Sequence, residues 1–145
     1  MFQIEMNIKT AFSSFSGWLM STEMFSRPSK QLPGQWILFE YYRDKGEDLL
    51  NVKEEELKRK NENWTIEFAE RDKFLQQGNL SINLISGIEN GVWSISRNFV
   101  TIINPSDFRK NVEFQFAIQK NQLKLLKKDG FGKIEFFGFF RKLEK

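Results

Sequence analysis

The sequence predicts an all-β protein: a closed or nearly closed up-and-down antiparallel barrel of about eight to ten strands, preceded by an N-terminal amphipathic helix. Three observations support this fold. Apolar and polar residues alternate along several short segments that are separated by turn residues. Aromatic residues, which fit a pleated surface, make up 15% of the chain. The first and last strand segments are apolar on both faces, as expected of strands covered on both sides.

Composition limits the chemistry that the chain can perform. Its 145 residues, 40% of them hydrophobic, suit one domain with a single core. Cys and His are both absent. Disulfides, thiol nucleophiles, imidazole bases and the usual zinc sites are therefore excluded. We expect a protein that is not an enzyme, with no catalytic residues, no metal and no cofactor.

The N-terminal region has the pattern of an amphipathic helix. At 100° per residue, one arc of roughly 120° is apolar and the opposite face is rich in Ser and Thr. The apolar arc consists of Ile8, Ala11, Phe12, Phe15, Trp18 and Leu19. We predict that Phe12, Phe15 and Trp18 form an interface, either with the protein's own barrel, with a protein partner or second copy, or with a membrane surface.

Prolines and glycine in SRPSKQLPG (26–34) end this helix, so we divide the chain into residues 1–30, the helix and linker, and 31–145, the barrel. No apolar run reaches the ~18 residues of a transmembrane segment. The N-terminus also makes a poor signal peptide, because Ser and Thr interrupt its apolar stretch. We expect a cytoplasmic location and leave secretion or a periplasmic location open.

Period-two alternation predicts the individual strands. It is clear in WTIEF (64–68), LSINLI (80–85) and VEFQFAIQ (112–119), with turn residues near 77–79, 89–91, 97–98, 120–121 and 129–132. Residues 47–62 fit two structures. Glu and Lys or Arg pairs spaced i, i+4 favour a helix, but LLNV favours a strand that continues into a charged loop, which we prefer.

The two terminal strands are predicted to pair. The first presents Ile37, Phe39 and Tyr41 on one face and Trp36, Leu38 and Tyr42 on the other. The last presents Phe137 and Phe139 opposite Ile134, Phe136 and Phe140. As open edges these strands would invite aggregation, whereas pairing them closes the barrel. Their outer apolar face would then receive the N-terminal helix.

Two short motifs resemble the lipocalin and calycin signature: GQW (34–36) opening the first strand and FFRK, with Arg141, ending the last. WTIEFAERDKF, GVWSIS, FAIQKNQLKLLKK and FFRKL are similar to bacterial lipocalin-like domains, and the resemblance covers about residues 33–145. It implies that Trp36 lies across the barrel floor while a late Arg or Lys, here Arg141, packs over it and bonds to backbone carbonyls. The chain lacks the T-D-Y-type turn and the disulfide of secreted lipocalins.

A barrel of this size either fills with side chains or holds one small ligand. We predict non-catalytic binding or carriage of a small hydrophobic ligand, with a basic mouth for an anionic group. The candidate cavity lining is Phe68, Leu84, Trp93, Phe114 and Phe116, and the candidate mouth is Lys124, Lys127, Lys128 and Lys133.

Two other classes of function compete with ligand binding. The alternative is an interaction module in which the N-terminal helix docks a partner or a second copy. Nucleic-acid binding, or a lyase of lipocalin fold, is less favoured. Nucleic-acid binding would place Lys or Arg beside exposed aromatic residues, whereas the strand Phe residues alternate with Glu, Gln and Asn.

Overall fold

The computed structural model describes residues 28–46, 48–80, 85 and 91–143. Within these ranges a four-residue helix α1 (Pro28–Gln31) precedes the first strand, and a six-residue helix α2 (Glu54–Arg59) lies between the second and third strands. A 3₁₀ turn covers Phe108–Lys110. The strands are β1 (Gly34–Lys45), β2 (Asp48–Val52), β3 (Trp64–Phe68), β4 (Lys73–Gly78), β5 (Gly91–Ser96), β6 (Phe99–Ile103), β7 (Val112–Gln119), β8 (Gln122–Lys128) and β9 (Ile134–Leu143).

The strands form one antiparallel sheet that closes on itself. From β3 to β9 each strand pairs with the next in the chain, and β9 pairs with β1. The result is an eight-stranded closed barrel with β2 as one additional strand, so the predicted all-β closed barrel is confirmed. The predicted N-terminal helix, with Phe12, Phe15 and Trp18, lies outside the described residues.

Strand β1 is shared by two neighbours along one edge. Its first part, from Gly34 to Ile37, pairs with β3, and its last part, from Tyr41 to Lys45, pairs with β2. Its other edge runs along β9. We call the end of the barrel where β1 begins the lower end, and the end where β1 finishes the upper end.

Alternation along the strands produces the inner layer as predicted. Every second residue is buried in β3, and in β7 the inner face consists of Val112, Phe114, Phe116 and Ile118. The hairpin between β7 and β8 turns through Lys120 and Asn121, whose φ angles of 52° and 61° match a two-residue turn of type I′. Polar residues at turns and apolar residues at alternate strand positions therefore determine the local structure here.

Two register shifts alter which residues face inward. A shift between Leu38 and Glu40 reverses the alternation in β1. Trp36, Leu38 and Tyr41 are consequently buried in the core, whereas Tyr42 packs in a separate outer cluster. This corrects the predicted sets, which placed Tyr41 with Ile37 and Phe39.

The second shift lies between Lys127 and Lys128 in β8, where it pairs with β9. Ile134 therefore packs in the outer cluster rather than with Phe136 and Phe140, as the strict alternation had predicted.

Residues 47–62 contain both of the structures that the sequence allowed. LLNV lies in β2, as predicted, but the charged stretch after it forms α2 instead of a loop. Its first turn holds Glu54, Glu55 and Glu56 and its last turn Lys58 and Arg59, which complements the helix dipole. Leu57 provides a buried anchor. Residues 81–84 of the predicted strand LSINLI lie outside the described part of the chain.

Candidate functional site

The lower end of the barrel is closed around Trp36. Its indole Nε1 donates a hydrogen bond of 2.9 Å to the carbonyl oxygen of Leu32, which is itself fully buried. Gly34 permits this approach because its φ is +130°. Lys142 lies above the indole, with Nζ 5.2 Å from the ring centroid and 3.1 Å from the carbonyl oxygen of Pro33. Trp36, Leu32 and Lys142 together form the barrel floor.

Arg141, the predicted partner of Trp36, lies elsewhere. It is paired with Ile37 on the outer surface, one position away from the Trp36–Lys142 pair. Its guanidinium carbon lies 4.1 Å from the centroid of the Phe39 ring, and its nitrogens donate to the Glu54 carboxylate of α2. This hydrogen bonding lowers the pKa of Glu54. The floor pair is therefore Trp36 with Lys142, not Trp36 with Arg141.

The predicted cavity-lining residues lie mainly in the packed core. Phe68, Phe114 and Phe116 are almost completely buried. Trp93 is half-buried; its ring makes an edge contact with Phe68 at 5.5 Å, and its Nε1 donates to the carbonyl oxygen of Ala69 at 3.1 Å. Leu84 lies outside the described residues. Other fully buried rings share the interior: Trp36, Phe74, Phe136 and Phe140.

Two polar side chains beside the core, Gln76 and Asn104, have hydrogen-bond partners. Gln76 accepts a bond of 2.9 Å from Trp64 Nε1 and donates one of 2.8 Å to the carbonyl oxygen of Ile85. Asn104, at the end of β6, accepts from the backbone amide of Ser106 at 2.8 Å. Burial of these groups is thus compensated, as is usual for a folded protein.

Arg43 is different. It is paired with Phe136 on one side and Leu50 on the other, and both of these side chains pack in the inner core. Its Nε is buried and has no hydrogen-bond partner among the described residues. Tyr41 lies near Arg43. The pKa of the Tyr41 phenol is raised mainly because the side chain is buried, whereas the positive charge of Arg43 lowers this pKa. Sequence reasoning missed Arg43, because its inward direction depends on the register shift in β1.

The predicted lysine mouth is only partly assembled. At the upper end, Lys127 pairs with Glu135 at 2.5 Å, and Lys133 contacts Asp44 at 3.3 Å. Lys128 lies on the same β8–β9 side. Lys124 does not belong to this group, because it faces outward from the middle of β8, with its Nζ 5.3 Å from the Phe139 ring.

Two phenylalanines project from loops at the upper end. Phe131, at the tip of the β8–β9 turn, is 98% exposed, and Phe108, between β6 and β7, is 75% exposed. The Asp129 carboxylate holds the β8–β9 turn by accepting from the amides of Phe131 and Lys133 at 2.8 and 2.9 Å. These bonds shape a turn that exposes an apolar side chain, Phe131, at the upper end of the barrel.

The length of the pairing between neighbouring strands differs around the barrel wall. Among the residues that the structure describes, strands β4 and β5 are paired only at Lys73–Val92 and Phe74–Gly91. In contrast, β1 and β9 are paired from Gln35–Leu143 to Arg43–Phe136. The pairing of β4 with β5 is the shortest between neighbouring barrel strands in the described part of the chain, and residues 86–90, which precede β5, lie outside that part. We call this boundary the β4–β5 seam.

Among the described residues, no helix is long and apolar enough to span a membrane, and no cluster of acidic side chains could hold a metal ion. The sequence matches no model of a known protein family and no curated protein. Eight-stranded antiparallel barrels occur in several families, so the fold does not by itself identify a lipocalin.

Proposed function

We propose that this protein binds, without catalysis, a small amphipathic molecule whose anionic group is held by Arg43 and whose apolar part lies inside the upper end of the barrel. The buried Nε of Arg43, without a partner among the described residues, carries the proposal. An unsatisfied buried donor costs roughly 1–3 kcal/mol. A ligand carboxylate or phosphate would supply the missing acceptor and a charge-assisted hydrogen bond.

Packing in the barrel limits the size of such a ligand. The fully buried rings of Phe68, Phe114 and Phe116 occupy part of the interior. The apolar part of the ligand would therefore contact side chains near the upper end, such as Leu50, which is only partly buried against the core. We place the route of access at the short β4–β5 seam or at the upper end of the barrel beside Phe131.

The barrel floor supports a further part of the proposal, that the chain is a lipocalin-like domain. Lys142 lies over Trp36 and bonds to the carbonyl oxygen of Pro33, which is the arrangement implied by the resemblance, with a lysine one position after Arg141. Ligand binding inside an antiparallel barrel is compatible with that family, and the Arg43 proposal does not depend on it.

Binding can be tested with paired ligands that share an apolar chain and differ in the polar end. Short- and medium-chain fatty acids and the corresponding alcohols would be titrated by calorimetry against the wild-type protein and Arg43→Met, which keeps most of the apolar stem. We expect fatty acids to bind wild type, and Arg43→Met to lose about tenfold in affinity, or about 1.4 kcal/mol. Alcohols should bind both proteins equally.

Arg97→Met is the matched control, because Arg97 is exposed in the β5–β6 turn at the lower end. It should leave all affinities unchanged. Equal binding of fatty acids by wild type and Arg43→Met would reject Arg43 as the anion site while retaining the barrel as a binding site. Failure of every acid and alcohol to bind wild type would reject the proposed function.

A further inference from the structure

The outward side of strands β7, β8, β9 and β1 carries two rows of residues that are buried or half-buried. We call it the outer face and define it by Ala117, Lys124, Leu126, Phe137, Phe139 and Tyr42. Cross-strand pairing aligns Leu126, Phe137 and Tyr42 in one row and Ala117, Lys124 and Phe139 in the next. None of these side chains faces the barrel interior.

Burial on the outer face exceeds what the sheet alone provides. Ala117 is 0% exposed, Leu126 2%, Phe137 2% and Lys124 6%. Leu75 of β4 is an instructive comparison, since it also points outward from a strand and is 40% exposed. Neighbouring side chains stand roughly perpendicular to a sheet and cover one another's flanks, but not their ends. A second layer must therefore lie over the outer face.

We infer that residues 8–19 of the same chain form this layer as a helix. The apolar arc of this helix, which includes Phe12, Phe15 and Trp18 and which we call the stripe, packs onto the outer face. A helix of this length extends about 18 Å, and the six residues from Ile134 to Phe139 on β9 extend about 17 Å. The two surfaces are both apolar and similar in length. Ala117 provides a position without a large side chain, where a helix can approach the strands closely.

The route of the chain fits this placement. Helix α1 begins at Pro28 and lies against β7, which borders the outer face. The connection from Leu19 to Pro28 extends at most about 30 Å when fully extended. That distance exceeds the rise of about 17 Å along β9 from Lys142 to Phe137. A segment leaving α1 can therefore reach the middle of the outer face without crossing the barrel.

This inference is independent of ligand binding, and it bears on the competing interaction-module function. If the stripe is used within the chain, Phe12, Phe15 and Trp18 are not available to a separate partner. The outer face and the stripe would then form part of one domain, instead of a barrel with a free docking helix.

Lys124 provides a direct probe of the cover, because its amine can be labelled only where reagent reaches it. The full-length protein would be treated briefly with an amine-acylating reagent, and each lysine quantified by mass spectrometry. We expect Lys124 to react at least about tenfold more slowly than the exposed Lys120. The double variant Phe12→Asp/Phe15→Asp should remove most of that protection.

Ser13→Asp/Ser16→Asp is the matched control, since it adds the same charges to the opposite side of the predicted helix. It should leave Lys124 protected. The inference would be overturned if Lys124 of the wild-type protein reacted as fast as Lys120. It would also be overturned if Phe12→Asp/Phe15→Asp left the reaction rate of Lys124 unchanged. Protection that disappears on dilution, together with a dimeric mass by light scattering, would also overturn it by assigning the cover to a second copy.

A cysteine pair tests the same contact without disrupting the stripe by charge. The chain contains no native cysteine. Oxidation of Phe15→Cys/Leu126→Cys should give a monomeric intramolecular disulfide, while Ser14→Cys/Leu126→Cys should not. Equal cross-linking of the two variants, or disulfide-linked dimers alone, would contradict intramolecular packing.

Discussion

At the scale of single residues, the side of the sheet to which each side chain points decides which cation lies over Trp36. Arg141 and Lys142 are adjacent, but consecutive side chains of a strand point to opposite sides. Arg141 shares the outward direction of Phe137 and Phe139, whereas Lys142 is paired with Trp36. Because β9 is apolar on both faces, its sequence does not reveal which set is inner. The motif correctly indicated a cation over the tryptophan, but the choice between two neighbours required the register.

The Trp36–Lys142 contact gives a test of the barrel floor. Trp36→Ala should cost roughly 3–5 kcal/mol of unfolding free energy through loss of a buried ring. Lys142→Ala should cost on the order of 1 kcal/mol through the lost ring contact and the bond to Pro33. The two effects should be non-additive in a double-mutant cycle measured by urea unfolding. Arg141→Ala combined with Trp36→Ala is the control and should be additive. Coupling of Trp36 to Arg141 instead would contradict the assigned floor.

Lys124 should make stability depend on pH. Burial lowers its pKa from 10.5 to about 8 in the folded protein. Below pH 8 the amine is charged in both states, so the full burial cost is present, on the order of 3 kcal/mol. As pH rises from about 8 towards 10.5, the folded protein loses the proton first, and stability should increase. We expect Lys124→Met to be more stable than wild type at pH 7 and to lack this rise.

The measurement is urea unfolding between pH 7 and 9.5, with Lys120→Met as an exposed control. The upper limit matters because the raised pKa values of Tyr41 and Tyr42 decrease folded stability above about pH 10. If the wild-type curve is flat over this range and parallel to that of Lys124→Met, Lys124 is not buried as a charged group.

At the scale of secondary-structure elements, the sequence predicts regular strands well and departures from regularity poorly. Alternation located β3 and β7 because one face of each is buried and the other is polar. The register shift in β1 could not be predicted, since the four residues at and before it, from Trp36 to Phe39, are all apolar and the pattern does not show which of them point into the barrel. That shift turns Tyr41 inward and determines where Arg43 points, so the proposed anion site depended on a feature absent from the sequence pattern.

Helix α2 shows a different limit of prediction from sequence, since a local pattern alone could not decide its structure. Its i, i+4 charge pairs were visible in the sequence, but a six-residue helix is too short to be stable alone. The burial of Leu57 and the contact of Glu54 with Arg141 stabilise it in place. Glu54 and Arg141 are 87 positions apart in the chain. Local propensity thus identified a possible helix, and only tertiary contacts decided between helix and loop.

At the scale of the whole molecule, closure of the sheet could be predicted because it follows from a global constraint. Two terminal strands that are apolar on both faces cannot remain as open edges, and their pairing removes both edges together. The same reasoning does not predict where a closed wall is weak. Among the described residues, strands β4 and β5 share only two residue pairs, although both have strand-forming sequences.

This asymmetry predicts unequal opening of the two seams in native-state hydrogen exchange. Amides along β1 and β9, paired from Gln35–Leu143 to Arg43–Phe136, should exchange only with global unfolding. Amides at the β4–β5 seam should exchange through local opening, at a free energy lower by about 2 kcal/mol or more. The comparison would be made by NMR at low denaturant, where global exchange shows a strong denaturant dependence and local opening a weak one. Equal free energies and equal denaturant dependence at both seams would mean that the short pairing does not weaken the wall. In that case a ligand would have to reach Arg43 from the upper end of the barrel, because the wall between β4 and β5 would remain closed whenever the barrel is folded.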